Sequence, residues 1–158
     1  MKTLVIYYSY EGNTKELVEY IQTIKDVDVL ELKVLDEKPT TSMFRFVWGG
    51  MQVYMKKKPE LVPYSIDLNE YENIIIGTPC WFGSYAPAIN TFLSDHKIQD
   101  KNIYLLVCNG GNLRHTFEDF NKALSGNRII GSLELKYPKK NGIDNAKEKV
   151  KAWLTNLN

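Results

Sequence analysis

With 158 residues, 44% hydrophobic and 25% charged, the chain can bury one core and reads as a single domain over 1–158. Its 20 basic and 19 acidic residues leave a net charge of +1, too little to draw nucleic acid or an acidic membrane. Two cysteines, Cys80 and Cys108, form neither a disulfide framework nor a metal cluster; without a membrane-length apolar run or a signal pattern at Met1–Leu4, the expected location is cytoplasmic.

The first element, Thr3 to Tyr8, is a strand that is apolar on both faces. Asn13 to Lys25 follows as a helix, with Leu17, Val18, Ile21 and Ile24 on one side. Val27 to Val34 alternates less cleanly and suits an edge strand. The aromatic and methionine-rich segment Met43 to Met55 reads as a helix broken at Gly49-Gly50. It either packs over the sheet, walls a ligand or forms a dimer contact. Asn73 to Thr78 is another apolar strand, and a helix starts at Pro87 with Ile89, Phe92 and Leu93 inward. Ile103 to Cys108 is the fourth strand, followed by Phe117, Phe120 and Leu124 at helical spacing. Arg128 to Tyr137 is the fifth strand. The last helix carries Ala146, Val150, Trp153, Leu154 and Leu157 on one stripe.

Alternating strands and helices predict an α/β fold, a parallel sheet with helices on both faces. Ligands bind such sheets beyond the carboxyl ends of the strands, where strand order reverses. The loops after Tyr8, Thr78 and Cys108 are therefore the candidate site.

The first of these loops is Ser9-Tyr10-Glu11-Gly12-Asn13-Thr14. It meets a helix start, where free amides and the macrodipole favour an anion. Ser9 and Thr14 add hydroxyls and Gly12 allows a tight turn, which together make a phosphate cradle without a lysine. The plainer reading is an ordinary turn with Asn13 or Thr14 as N-cap.

Tyr8-Ser9-x-x-Gly12-Asn13-Thr14 resembles the FMN-phosphate loop of the flavodoxin family, and the resemblance extends over the whole chain in element order. It implies a five-stranded parallel sheet in the order 2-1-3-4-5, of the short-chain type. It also implies non-covalent FMN and electron transfer between partner proteins. Glu11 departs from the family pattern, which has a hydroxyl residue there, so its carboxylate is expected to face away from the phosphate.

In the second loop, Thr78-Pro79-Cys80-Trp81-Phe82-Gly83 suits a flat apolar ligand. The resemblance makes Trp81 the ring-stacking residue. It makes Phe82 or Gly83 the backbone that turns a carbonyl toward flavin N5 on reduction, with Gly83 making the flip inexpensive. Otherwise Trp81 and Phe82 simply cap the sheet edge. In the third loop, Asn109-Gly110-Gly111-Asn112 offers backbone amides to the polar edge of the flavin. Flavodoxins often place an aromatic here. This chain has none before Phe117, which leaves the outer ring face bare or covered by Tyr85 or by the 43–55 segment. His115 is either a surface residue at a helix start or a proton partner of the flavin.

Other chemistries lack their residues. Receiver domains need clustered acids at the strand ends, small tyrosine phosphatases need Cys and Arg in the first loop, and no Gly-Lys-Ser/Thr or Gly-x-Gly-x-x-Gly motif is present. Three readings remain: an FMN electron carrier, an FMN-dependent NAD(P)H oxidoreductase resembling quinone reductases, and a module that keeps only the fold. Flavodoxins are strongly acidic whereas this chain is nearly neutral, which sets it apart from typical low-potential carriers.

Overall fold

A computed structural model describes residues 2–39, 41 and 45–157. Strands β1 (Thr3–Tyr7), β2 (Asp28–Glu31), β3 (Asn73–Trp81), β5 (Asn102–Asn109) and β6 (Arg128–Lys136) pair in parallel in the order β2-β1-β3-β5-β6. This is the predicted order. The two-residue strand β4 (Ser84–Tyr85), which the sequence did not announce, pairs antiparallel with the end of β3.

The pleat explains why the central strands are apolar throughout. Leu4, Ile6, Ile74, Ile76 and Leu105 point to one face, under helices α3 (Pro87–Asp95) and α4 (Thr116–Ala123). Val5, Ile75, Tyr104 and Leu106 point to the other, under α1 (Asn13–Ile24) and α5 (Ile143–Trp153). Each of these aliphatic side chains is essentially fully buried, worth about 1.5–3 kcal/mol apiece. The outer strand β6 instead alternates between exposed and half-buried positions, as expected of a sheet edge.

The helix α2 (Arg45–Tyr54) corrects an expectation: it runs unbroken through Gly49 and Gly50. Residues 43 and 44 of the aromatic segment lie outside those described. A Cβ on Gly50 would sit 3.1 Å from the Phe82 ring, and one on Gly49 would sit 3.6 Å from the rings of Trp81 and Phe82. These glycines bring the helix down onto the second loop rather than ending it.

Candidate functional site

The carboxyl ends of β1, β3 and β5 open into a cleft of about 620 Å³, within the ~300–1,000 Å³ usual for small-molecule sites. All three expected loops line it. Of the sixteen expected residues, Gly12 and Thr78 do not reach the cleft wall, while Gly49, Cys108, Arg114, Tyr137 and Pro138 join it.

The first loop turns at Gly12, the N-cap of α1, whose φ of 84° is left-handed and suits glycine. Neither Asn13 nor Thr14 caps the helix; both lie inside its first turn. The Ser9 hydroxyl accepts the Lys15 amide at 3.2 Å, which leaves its own proton available to donate. Thr14 is only 1% exposed. Its Oγ1 and the Oδ1 of Asn13 are buried with no hydrogen-bond partner among the described residues. The Cys108 thiol lies beside Thr14 without reaching hydrogen-bond geometry, and burial pushes that thiol up to about 11. A buried polar atom left unpaired costs ~1–3 kcal/mol, so a ligand that pairs it recovers that amount.

No lysine lines the cleft, but one stands behind the turn of the first loop. Lys139, from the loop after β6, places Nζ 3.5 Å from the Glu11 carbonyl and 3.8 Å from Glu16, on the outer side of the Gly12 turn. Glu11 is exposed at the rim of the cleft.

The second loop is a two-residue hairpin. Cys80 pairs with Tyr85 and Trp81 with Ser84, and Phe82 and Gly83 form the turn at φ 51° and 85°. Positive φ at both positions defines a type I′ turn. Phe82 is strained there by roughly 1–2 kcal/mol. Gly83 is required twice over, because a Cβ would lie 2.7 Å from the Arg114 side chain. Its carbonyl accepts the His115 amide at 3.0 Å. Ser84 donates to Asp119 at 2.6 Å. Thr78, fully buried, anchors the base of the loop: its hydroxyl accepts the Ala86 amide at 3.1 Å.

These contacts change how the Phe82–Gly83 peptide can behave. Turning it over would convert type I′ into type II′, which needs glycine at the first central position. Phe82 stands there and Gly83 second, so the flip is expensive rather than inexpensive.

Aromatic rings gather around Trp81. Tyr8, Tyr10 and Trp48 meet it edge-on at 5.8, 5.3 and 5.8 Å between centroids. Tyr8 is buried and donates to Glu37; burial holds both groups above their usual ranges. The more open rings of the cleft are Phe82, 57% exposed, and Tyr137, 46% exposed. Tyr137 comes from the end of β6 and donates its hydroxyl to the Gly110 carbonyl, so it stands beside the third loop where the sequence offered no aromatic. Tyr85, an expected cover, instead packs on Phe120 at 4.5 Å.

The third loop is largely self-bonded. Asn109 accepts the Gly111 amide at 3.0 Å and donates to Glu134 at 2.5 Å, while Asn112 accepts the Arg114 amide at 2.8 Å. The Gly111 amide is therefore engaged rather than offered to a ligand. The Cys80 thiol, half-buried in the cleft wall, sits 3.2 Å from the Thr116 hydroxyl. His115 is exposed, 3.4 Å from Glu118, and does not line the cleft. Among the described residues no His, Cys, Asp and Glu cluster could hold a metal ion, and no helix is long and apolar enough to cross a membrane.

A doubly wound sheet with a phosphate-type helix start and ring-lined loops defines a mononucleotide-binding class. The chain belongs to the flavodoxin family, whose sequence model matches residues 2–157. It is similar to a flavoprotein of Lactobacillus acidophilus NCFM solved in complex with FMN, at 27% identity over 96% of this chain and 97% of that one, with a TM-score of 0.74. The apo-form of that flavoprotein matches at 29% identity, 88% and 95% coverage, and a TM-score of 0.64. An azoreductase of Bacillus anthracis shares the fold alone, at 14% identity, 98% and 95% coverage, and a TM-score of 0.52.

Proposed function

We propose that this chain binds FMN in the three-loop cleft and carries electrons between partner proteins. The observation that carries the cofactor assignment is the pair of unpartnered buried atoms at the start of α1, Thr14 Oγ1 and Asn13 Oδ1. The threonine hydroxyl can donate to a phosphate oxygen, and the asparagine oxygen can accept from a sugar hydroxyl. Ser9 and the first-turn amides complete an anion site, with Lys139 behind the turn, beside Glu16. Trp81, Phe82 and Tyr137 supply apolar faces for the ring, and the loops at Pro79–Cys80 and Gly110–Asn112 border its polar edge. When bound, FMN supplies a ring that takes up electrons singly or in pairs. The free thiols of Cys80 and Cys108 favour a reducing, cytoplasmic setting.

The same site favours a second reading, an FMN-dependent NAD(P)H oxidoreductase. The type I′ turn opposes reorientation of the Phe82–Gly83 peptide, which removes one means of favouring single-electron steps over paired ones. Stepwise photoreduction of FMN-loaded protein against a reference dye separates the readings. Two well-separated one-electron potentials support the carrier. A single two-electron step, with rapid NAD(P)H consumption by the protein alone, replaces it with the oxidoreductase.

A further inference from the structure

Beside the cleft lies an apolar surface that meets it only at Phe82. Val47, Met51 and Met55 recur four residues apart along α2 and the turn that ends it, and they are 63%, 55% and 53% exposed. Phe82 packs against Gly50 of the same helix and carries this apolar surface to the rim of the cleft. Three large apolar side chains along one helical face gain little from folding while they stay in water, and contiguous apolar surface of this kind marks contacts with other proteins.

The charge beside the patch is mostly positive. Lys56, Lys57 and Lys122 line a groove between α2, α3 and α4, next to Ser84 and Tyr85 of the hairpin. The Asn90 side chain fixes the main chain at two of them, donating to the carbonyls of Lys56 and Lys57, both at 3.2 Å. The one carboxylate in the groove, Asp119, is occupied by the Ser84 hydroxyl, and Glu118 nearby faces His115. On the other side of the turn, Arg114 is exposed against Gly83. A molecule with a net charge of only +1 thus gathers three lysines in one groove beside α2.

We propose that the exposed face of α2, with Phe82 and the Lys56–Lys57–Lys122 rim, is the docking surface for an acidic electron-transfer protein. This rests on the carrier reading and adds the sign and place of its partner. The methionines give an adaptable apolar contact, and the lysines steer an acidic partner so that it arrives over the ring end of the cleft.

The test uses FMN-loaded protein with an acidic [2Fe–2S] ferredoxin as probe and a basic c-type cytochrome as its opposite. Binding is measured at low and high salt for the wild type and for a Lys56→Glu, Lys57→Glu, Lys122→Glu variant. A second variant carries the same charge change far from the surface, at Lys97, Lys149 and Lys151. Ferredoxin affinity should fall about tenfold or more in the first variant and less than about twofold in the second, with salt abolishing the difference. Substituting Gln for the three rim lysines should give an intermediate loss if folding limits the Glu variant. Equal losses in the two Glu variants, no ferredoxin binding, or a preference for the cytochrome would overturn the proposal. So would a dimer in sedimentation that Met51→Asp dissolves, because the face would then belong to a second copy. Rim-dependent ferredoxin binding without electron exchange would support the surface and remove only the carrier reading.

Discussion

At the end of the cleft proposed for the phosphate, one stretch of chain does most of the building: Ser9 to Thr14 supplies the turn, the amides and the hydroxyls. At the ring end, each wall is held by residues from elsewhere. The Phe82–Gly83 turn rests on α2 and Arg114 and is tied to His115 and Asp119, while Tyr137 arrives from the end of the neighbouring strand β6. A local device of this kind survives change in the rest of the chain, because its geometry follows from a helix start. A tertiary device is sensitive to every element that supports it. The phosphate end should therefore set which nucleotide binds, and the ring end how the ring behaves once bound.

The sharpest way to break this division is to loosen one end through the core. Phe120 is fully buried in α4 and packs on Tyr85 of the hairpin. Phe120→Ala should cost about 3–5 kcal/mol in global unfolding. Hydrogen exchange should show the hairpin amides losing protection before those of α1. Simultaneous loss in both would mean that the ends are mechanically one.

Thr14→Val probes the other end and should act with opposite signs on two measurements. The substitution removes a buried hydroxyl that has no partner, so apo-protein should melt no lower than wild type. FMN affinity should fall by ~1.5–3 kcal/mol, the worth of a hydrogen bond to a charged group. Riboflavin affinity, measured by the same calorimetry, should not change. A parallel loss for riboflavin would take Thr14 out of phosphate recognition.

Trp81→Ala should weaken FMN and riboflavin equally, by ~1–3 kcal/mol by analogy with base stacking on aromatic side chains. Unchanged affinities would return Trp81 to structural packing with Tyr8, Tyr10 and Trp48. The smallest effect belongs to Tyr137→Leu, about 0.5–1.5 kcal/mol for both flavins. A loss confined to FMN would place Tyr137 with the phosphate instead.

The same division explains what could be read from the sequence. Runs such as Ile74-Ile75-Ile76 are apolar at every position because both sheet faces are covered, so the strands and the three loops were accessible, whereas the strand order came from the family resemblance. The phosphate loop was accessible because its chemistry is local. The hairpin was not, since Phe82 is an unlikely residue at positive φ and only the surrounding contacts hold it there. Gly49-Gly50 was read as a break because glycine weakens helices; the rings that require it to be small lie some thirty residues away, at Trp81 and Phe82. Tyr137 and Lys139 carried a signal that went unused. They follow the last strand and so emerge at the same sheet edge as the other loops.

The contact between Lys139 and Glu11 also has a meaning in time. The two residues are 128 positions apart, and at ~10 residues per second their synthesis is separated by about ten seconds. The helix start is therefore made well before the lysine behind it and the tyrosine beside the third loop. Until those later residues emerge and pack, a nascent chain can display only one end of the cleft, so the site is completed long after the loop that begins it.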